Sequence, residues 1–276
     1  MSDGKPTIIV KQQKKMGCFG IIGVVVVIGL IVAMCNTGNK SSSGTSSSEE
    51  SQTKQYSLDI RPDSQKQFEQ IFRKYSDEFD KAENQLQESK ARANRKGEFQ
   101  QLGIRNVKDW VGTLKRLATN TEGKAFINID LVNNLTICTW NNAFSDIDGN
   151  TLIPMDSDLY KALSSMKVGS KVKFSGTFIT GDDMDYFQLS GALTIRSAMK
   201  TPDFVMKFST VTVIGDKPIT TSDINLREEP SADSNKLTTI PKGSEVKLLG
   251  TVADDGWIKI SFEEKEGYVN KQFLTY

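Results

Sequence analysis

Asn225-Leu226-Arg227, then Ile240-Pro241-Lys242-Gly243-Ser244-Glu245-Val246, then Gly256-Trp257-Ile258-Lys259-Ile260, and last Gly267-Tyr268-Val269 mark out the final part of the chain. Apolar and polar residues alternate through Val246-Lys247-Leu248 and again through Trp257–Ile260, giving strands with one buried and one exposed face, as small barrels require. Lys242-Gly243 and Asp255-Gly256 supply glycine where a tight turn needs positive φ. These short strands and turns make residues 211–276 a β-module.

With Pro230-Ser231 between the first two phrases, their order and spacing resemble the bacterial SH3 domain over roughly Val213 to Tyr276. That resemblance implies an SH3-like β-barrel, recurrent in cell-envelope proteins, which binds wall polymers or peptides. It also implies a groove between loops near the Asn-Leu-Arg strand and the aromatic residues of later strands. Arg227, Trp257 and Tyr268 are the candidate ligand contacts, a guanidinium for carboxylates of wall peptides and two flat rings for stacking. The rings recur in this pattern as packing residues too, so a core role stands beside the contact role. From Val211 onward eight basic residues face eleven acidic ones, a better match to neutral glycan, peptide or protein than to a polyanion.

Residues 103–210 read as a second β-module. The expected strands are 107–117, 125–131, 135–140, 171–178 and 186–195, with a helix over 156–166 between the third and fourth. Three strands, a helix and two strands is the order of an OB-fold. Met166-Lys167-Val168-Gly169-Ser170-Lys171-Val172-Lys173-Phe174-Ser175-Gly176 resembles the helix exit, turn and fourth strand of OB-like domains. Thr201-Pro202-Asp203 is read as its end, with Phe204–Phe208 either a late strand or a lead into the next barrel. Gly181-Asp182-Asp183-Met184-Asp185 would repel phosphates at the rim, so no nucleic-acid partner is expected. This cluster and Asp146-Ile147-Asp148-Gly149-Asn150 fall short of Ca²⁺-loop spacing and read as acidic turns. Trp110 and Trp140 read as core or as bridges to an adjoining helix, ahead of a stacking role on a sugar or base.

Upstream, Gly17–Cys35 runs without a charge, and at about 1.5 Å per residue spans roughly 28 Å as a helix. A single transmembrane helix over 17–35 is the expectation, with residues 1–16 cytoplasmic because Lys11, Lys14 and Lys15 precede it, and the following domains extracytoplasmic. The alternative is a lipoprotein signal with Cys35 acylated; Met34 and the length of the run count against it. Residues 36–55 form a Ser-rich linker. Over 56–102 one long helix is expected, from Pro62 to about Gln101, whose seam of Phe72, Tyr75, Phe79, Ala82, Leu86 and Ala93 either docks in cis or pairs weakly with a second copy. The fold class is thus mainly β with helices: a transmembrane helix, a long helix, an OB-like barrel and an SH3-like barrel.

The chain has no histidine, which removes the commonest general base and metal ligand. Cys138 lies in a strand-like stretch with no imidazole to activate it and reads as a structural thiol. No catalytic residue, metal or cofactor is expected. The functional expectation is a non-enzymatic, membrane-anchored envelope protein whose terminal domain binds peptidoglycan, a wall peptide or an envelope protein. The alternatives are an accessory or regulatory subunit of an envelope complex, and a carboxylate-dependent wall hydrolase using Asp182, Asp183 and Asp185.

Overall fold

The computed structural model describes residues 56–132, 134–181 and 184–276. The expected membrane segment 17–35, Cys35, the linker 36–55, Asp182 and Asp183 lie outside the described residues. Among the described residues no helix is long and apolar enough to cross a membrane, because the long ones carry charged residues along their length. The expected fold class is corrected accordingly: the described residues contain no membrane-spanning helix and are mainly β with helices, built around a closed barrel and a second sheet.

The single helix expected over 62–101 is two, α1 (Asp63–Asp80) and α2 (Gln85–Leu102). No proline divides them. Asn84 does so: its backbone is extended and its Oδ1 accepts from the N–H groups of Leu86 and Gln87, both at 3.1 Å, satisfying the first donors of a new helix. The chain folds back, stacking Phe68 on Phe99 at 4.7 Å between ring centroids and directing the Tyr75 hydroxyl to Glu98 at 2.7 Å. The seam is consequently used within the chain. Phe72, Tyr75 and Phe79 are buried on α1, whereas Ala82 lies in the break and the 83% exposed Leu86 belongs to α2, so the seam does not run on as one stripe.

The first barrel follows: β1 (Asn106–Thr119), β2 (Ala125–Asp130), β3 (Thr136–Cys138), α3 (Asp158–Ser164), β4 (Lys171–Phe178), α4 (Ile195–Lys200) and β5 (Asp203–Val213). The sheet closes in the order β1-β2-β3-β5-β4, with β3 and β5 parallel and α3 between the third and fourth strands in sequence. The five strands expected of an OB-like barrel are present, but the fifth is not 186–195. That stretch makes only isolated bridges, at Phe187 and Leu189, before Thr194 caps α4. β5 takes the place instead because it turns Phe204, Met206, Phe208 and Val211 into the core. Ser209 is the extra residue of a bulge opposite β4, which lets both Phe208 and Val211 face inward. Asp203 thus opens a strand rather than closing the domain, and the expected boundary at 210 falls inside it.

Phe68, from outside the barrel in sequence, sits among its rings: Trp110, Phe178, Phe187 and Phe204 lie 5.1–5.7 Å away between centroids. Trp110 is fully buried and donates its indole N–H to Ser64 Oγ at 3.0 Å, tying β1 to α1.

The terminal module comprises β6 (Ile219–Thr220), β7 (Ile224–Arg227), β8 (Lys236–Ile240), β9 (Lys247–Leu248), β10 (Trp257–Phe262), β11 (Lys265–Asn270), a 3₁₀ turn over Lys271–Phe273 and β12 (Leu274–Thr275). Five strands form one sheet in the order β8-β7-β11-β10-β9, and β12 pairs with β6. Its core of Leu226, Ile240, Ile258, Ile260 and Val269 also takes in Leu58, which precedes α1 by several residues and donates its N–H to Tyr276 Oη at 3.1 Å. The module's core is therefore completed by residues far upstream of its own strands.

Candidate functional site

Strand parity fixes which side chains the terminal sheet presents. Ile258, Ile260 and Val269 point into the core, so their neighbours Trp257, Lys259, Tyr268 and Asn270 point out. Register then brings the three candidate residues together. Tyr268 stands opposite Arg227 on β7 and opposite Lys259 on β10, and Trp257 stands opposite Asn270. All three are half-buried on one face, and neither aromatic ring belongs to the core.

Two glycines make this arrangement possible. A Cβ on Gly267 would lie 2.5 Å from the Arg227 carbonyl oxygen, so only glycine lets β11 come this close to β7. Gly256, at φ +85°, turns the chain into β10, and a Cβ there would press on the Asn270 amide at 3.3 Å.

A cleft of about 510 Å³ opens along this face, lined among others by Asn225, Arg227, Trp257, Asn270, Gln272 and Phe273. Tyr268 is not in its lining; it flanks Arg227 from the next strand. Much of the polar lining is already fixed. Arg227 Nη1 donates to the Ser234 carbonyl at 2.6 Å, across the turn between β7 and β8, leaving its remaining donors to face a ligand. Asn225 Oδ1 accepts from Thr239 at 3.2 Å, and Asn270 Oδ1 accepts from the Gln272 N–H at 3.2 Å, so both amides keep their N–H₂ groups for donation. Lys259 is paired with Glu266 at 2.8 Å, and that carboxylate raises the pKa of the ammonium. The combination is an aromatic plate with amide donors and one guanidinium at its edge, suited to a flat or extended ligand with carbonyl and hydroxyl oxygens.

Asn225, Asn270, Gln272 and Phe273 escape a reading that looks only for charged and aromatic residues in the repeated phrases. Parity carries the missing signal, because Asn225 and Asn270 lie two positions from Arg227 and Tyr268 and so share their face.

The other acidic and nucleophilic candidates have structural duties. Asp146 accepts from the Thr151 N–H and Oγ1 at 2.6 and 2.7 Å and from the Leu152 N–H at 2.9 Å, closing its own turn. Asp185 holds Arg92 and the buried Arg95, whose other nitrogen donates to the Ala198 carbonyl at 2.8 Å. Among the described residues no group of three or more His, Cys, Asp or Glu side chains could hold a metal ion. Cys138 is buried, and burial pushes its thiol well above the ordinary range, which disfavours the nucleophilic thiolate. Trp140 leaves the core reading incomplete: it is half-buried, and its indole N–H is enclosed without a hydrogen-bond partner.

Comparison with known proteins supports the terminal resemblance. Residues 222–275 match the family model described as bacterial SH3 domain. No curated protein gives a significant match to the chain. Among solved structures, NlpC1 from Trichomonas vaginalis is similar over 40% of this chain and 35% of its own, at 16% identity and a TM-score of 0.21. NlpC2 from the same organism covers 40% and 36%, at 16% identity and a TM-score of 0.20. The chain thus spans about a third of the length of these neighbours, and likeness at such TM-scores shows neither a shared fold nor a shared activity.

Proposed function

We propose that this protein is a binding protein of the bacterial cell envelope, whose terminal SH3 domain holds cell-wall material against the outer face of its sheet. The observation that carries the reading is the placement of Trp257: the ring lies outside the core and lines a cleft with Arg227 and three amide side chains. Trp257 supplies a stacking plate, Asn225 and Asn270 donate to carbonyl or hydroxyl oxygens, and Arg227 meets a carboxylate at the edge. Wall glycan and its attached peptide present all of these groups. Binding without turnover fits a chain that has no histidine and whose Cys138 is buried with its thiol protonated.

Retention of the full chain on isolated wall sacculi tests this. Trp257→Ala is expected to lower retention about tenfold, the loss of one stacking platform, while leaving the circular dichroism spectrum unchanged because the ring packs in no core. Equal retention of the parent chain on sacculi and on an inert polysaccharide would refute wall binding and leave a protein partner for the same cleft.

A further inference from the structure

Asp223 stands immediately before β7 and lines the outer-face cleft together with Arg227. Burial alternates along this stretch, with Ile224 and Leu226 turned into the core, so Asp223, Asn225 and Arg227 share the outer face. A carboxylate, an amide and a guanidinium therefore follow one another along one wall. At roughly 3.3 Å per residue the backbone positions of the two charged residues lie about 13 Å apart. Among the described residues that line the cleft, these two are the only ones with charged side chains, one of each sign.

Neither charge is neutralised from within. Asp223 Oδ1 accepts from the Lys242 N–H at 2.8 Å, which holds the carboxylate in place, while among the described residues no Lys or Arg forms an ion pair with it. Arg227 is held by a neutral group, the Ser234 carbonyl, and no described carboxylate pairs with it either. Lys259, the other cation on this face, is by contrast already matched by Glu266. Near Asp223 the wall is fixed as well, because the Thr221 N–H donates to the Phe273 carbonyl at 2.9 Å and steadies the turn that presents the 38% exposed Phe273 ring. Two opposite charges without protein partners, with amide donors and rings between them, form a template with a direction.

We propose that the cleft holds a short wall peptide bearing both a free ammonium and a free carboxylate, the ammonium at Asp223 and the carboxylate at Arg227. The inference rests on the wall-binding reading above and narrows it from wall material to the peptide part of the wall. Asn225 and Asn270 donate to peptide carbonyls between the two ends. Four extended residues span at most about 14 Å, which matches the separation of the two charges. A neutral sugar laid along the same path would cover both charged groups without offering either a counter-charge, so the cleft discriminates against it.

The test is retention of the full chain on sacculi that are untreated, acetylated at their free amines, or amidated at their carboxyl groups with methylamine, comparing the parent with Asp223→Asn, Arg227→Gln and Trp257→Ala. Asparagine keeps the acceptor for the Lys242 N–H, so the dichroism spectrum of Asp223→Asn should match the parent's. The parent is expected to bind acetylated sacculi about fivefold more weakly than untreated ones, the loss of one exposed ion pair. Asp223→Asn should bind both equally and about fivefold below the parent on untreated sacculi. Arg227→Gln should show the same indifference to amidation, whereas Trp257→Ala binds weakly yet still responds to both treatments. A parent indifferent to acetylation, or an Asp223→Asn variant that still responds to it, overturns the ammonium site and leaves the Trp257 face standing. A parent that is not retained on untreated sacculi overturns both readings. Two soluble competitors separate the sources of the ammonium: competition by tetra-alanine identifies an α-amine, and competition only by a peptide acetylated at its α-amine but carrying lysine as its first residue identifies a side-chain amine. Competition by neither overturns the proposal.

Discussion

Phe68 shows how one side chain can weld two parts of a chain. It comes from α1, yet its ring contacts the aromatic interior of the first barrel on several sides and is wholly buried. Phe68→Ala should therefore cost about 3–5 kcal/mol, read as a lowered urea midpoint; a loss below about 1 kcal/mol would mean the barrel closes without it. Cys138 offers a second check. Burial raises the pKa of its thiol, so the thiolate needed for alkylation is disfavoured in the folded chain, and raising the pH from 7 to 9 should not speed iodoacetamide labelling at this site. Mass spectrometry of Cys138-containing peptides should show labelling only after denaturation. Some residue-level features leave little trace in the sequence. Glu263 and Glu264 make the turn between β10 and β11 at φ of 46° and 65°, where glycine or asparagine is the usual signal, so nothing in the residue types marks that hairpin.

Elements were legible where a period or a single residue decided them, and hidden where partner choice did. The alternation of β4 gave its bounds directly, since every second residue from Val172 to Phe178 is buried. The break between α1 and α2 was marked by Asn84 alone, a capping residue easily passed over in a long charged helix with no proline or glycine at the break. For the fifth strand, residues 186–195 and 203–213 are both apolar enough. What separates them is that β5 can pair with β3 and β4 at once, a tertiary condition no local pattern carries. The segment 184–190, leading into the displaced stretch, is instead pinned to α2 through Asp185. Arg95 there is 1% exposed, and burial lowers its pKa while Asp185 opposes that shift. Removing the carboxylate with Asp185→Asn leaves a buried guanidinium uncompensated and should destabilise the fold by about 3–5 kcal/mol. Amide hydrogen exchange should rise first in 184–190 and along α2; unchanged protection there would contradict the role given to this pair.

At the scale of the whole molecule the two modules are not independent. The described residues belong to one compact unit, and the chain before α1 lays Tyr56, Leu58 and Ile60 against the core of the terminal sheet. Leu58→Ala should then lower the stability of the terminal module by about 2–5 kcal/mol although its own strands are untouched. Differential scanning calorimetry should show the terminal transition move down; an unmoved transition would mean that Leu58 lies on the module without supporting it. Sequence reading located the terminal module and two of the cleft's lining residues, because those rest on turns and strand parity. It could not supply the contribution of residue 58, since that depends on a contact across most of the chain's length.

The hydrogen bond from Leu58 to the Tyr276 hydroxyl joins residues 218 positions apart. Its consequence is mechanical. A pull applied upstream of residue 56 and resisted by a ligand on the Trp257 face enters the terminal module through Leu58 rather than through the many strands between. The first barrel is thereby spared most of the tension, and the grip should yield where the segment around Leu58 peels away from the last strand, long before either sheet unravels.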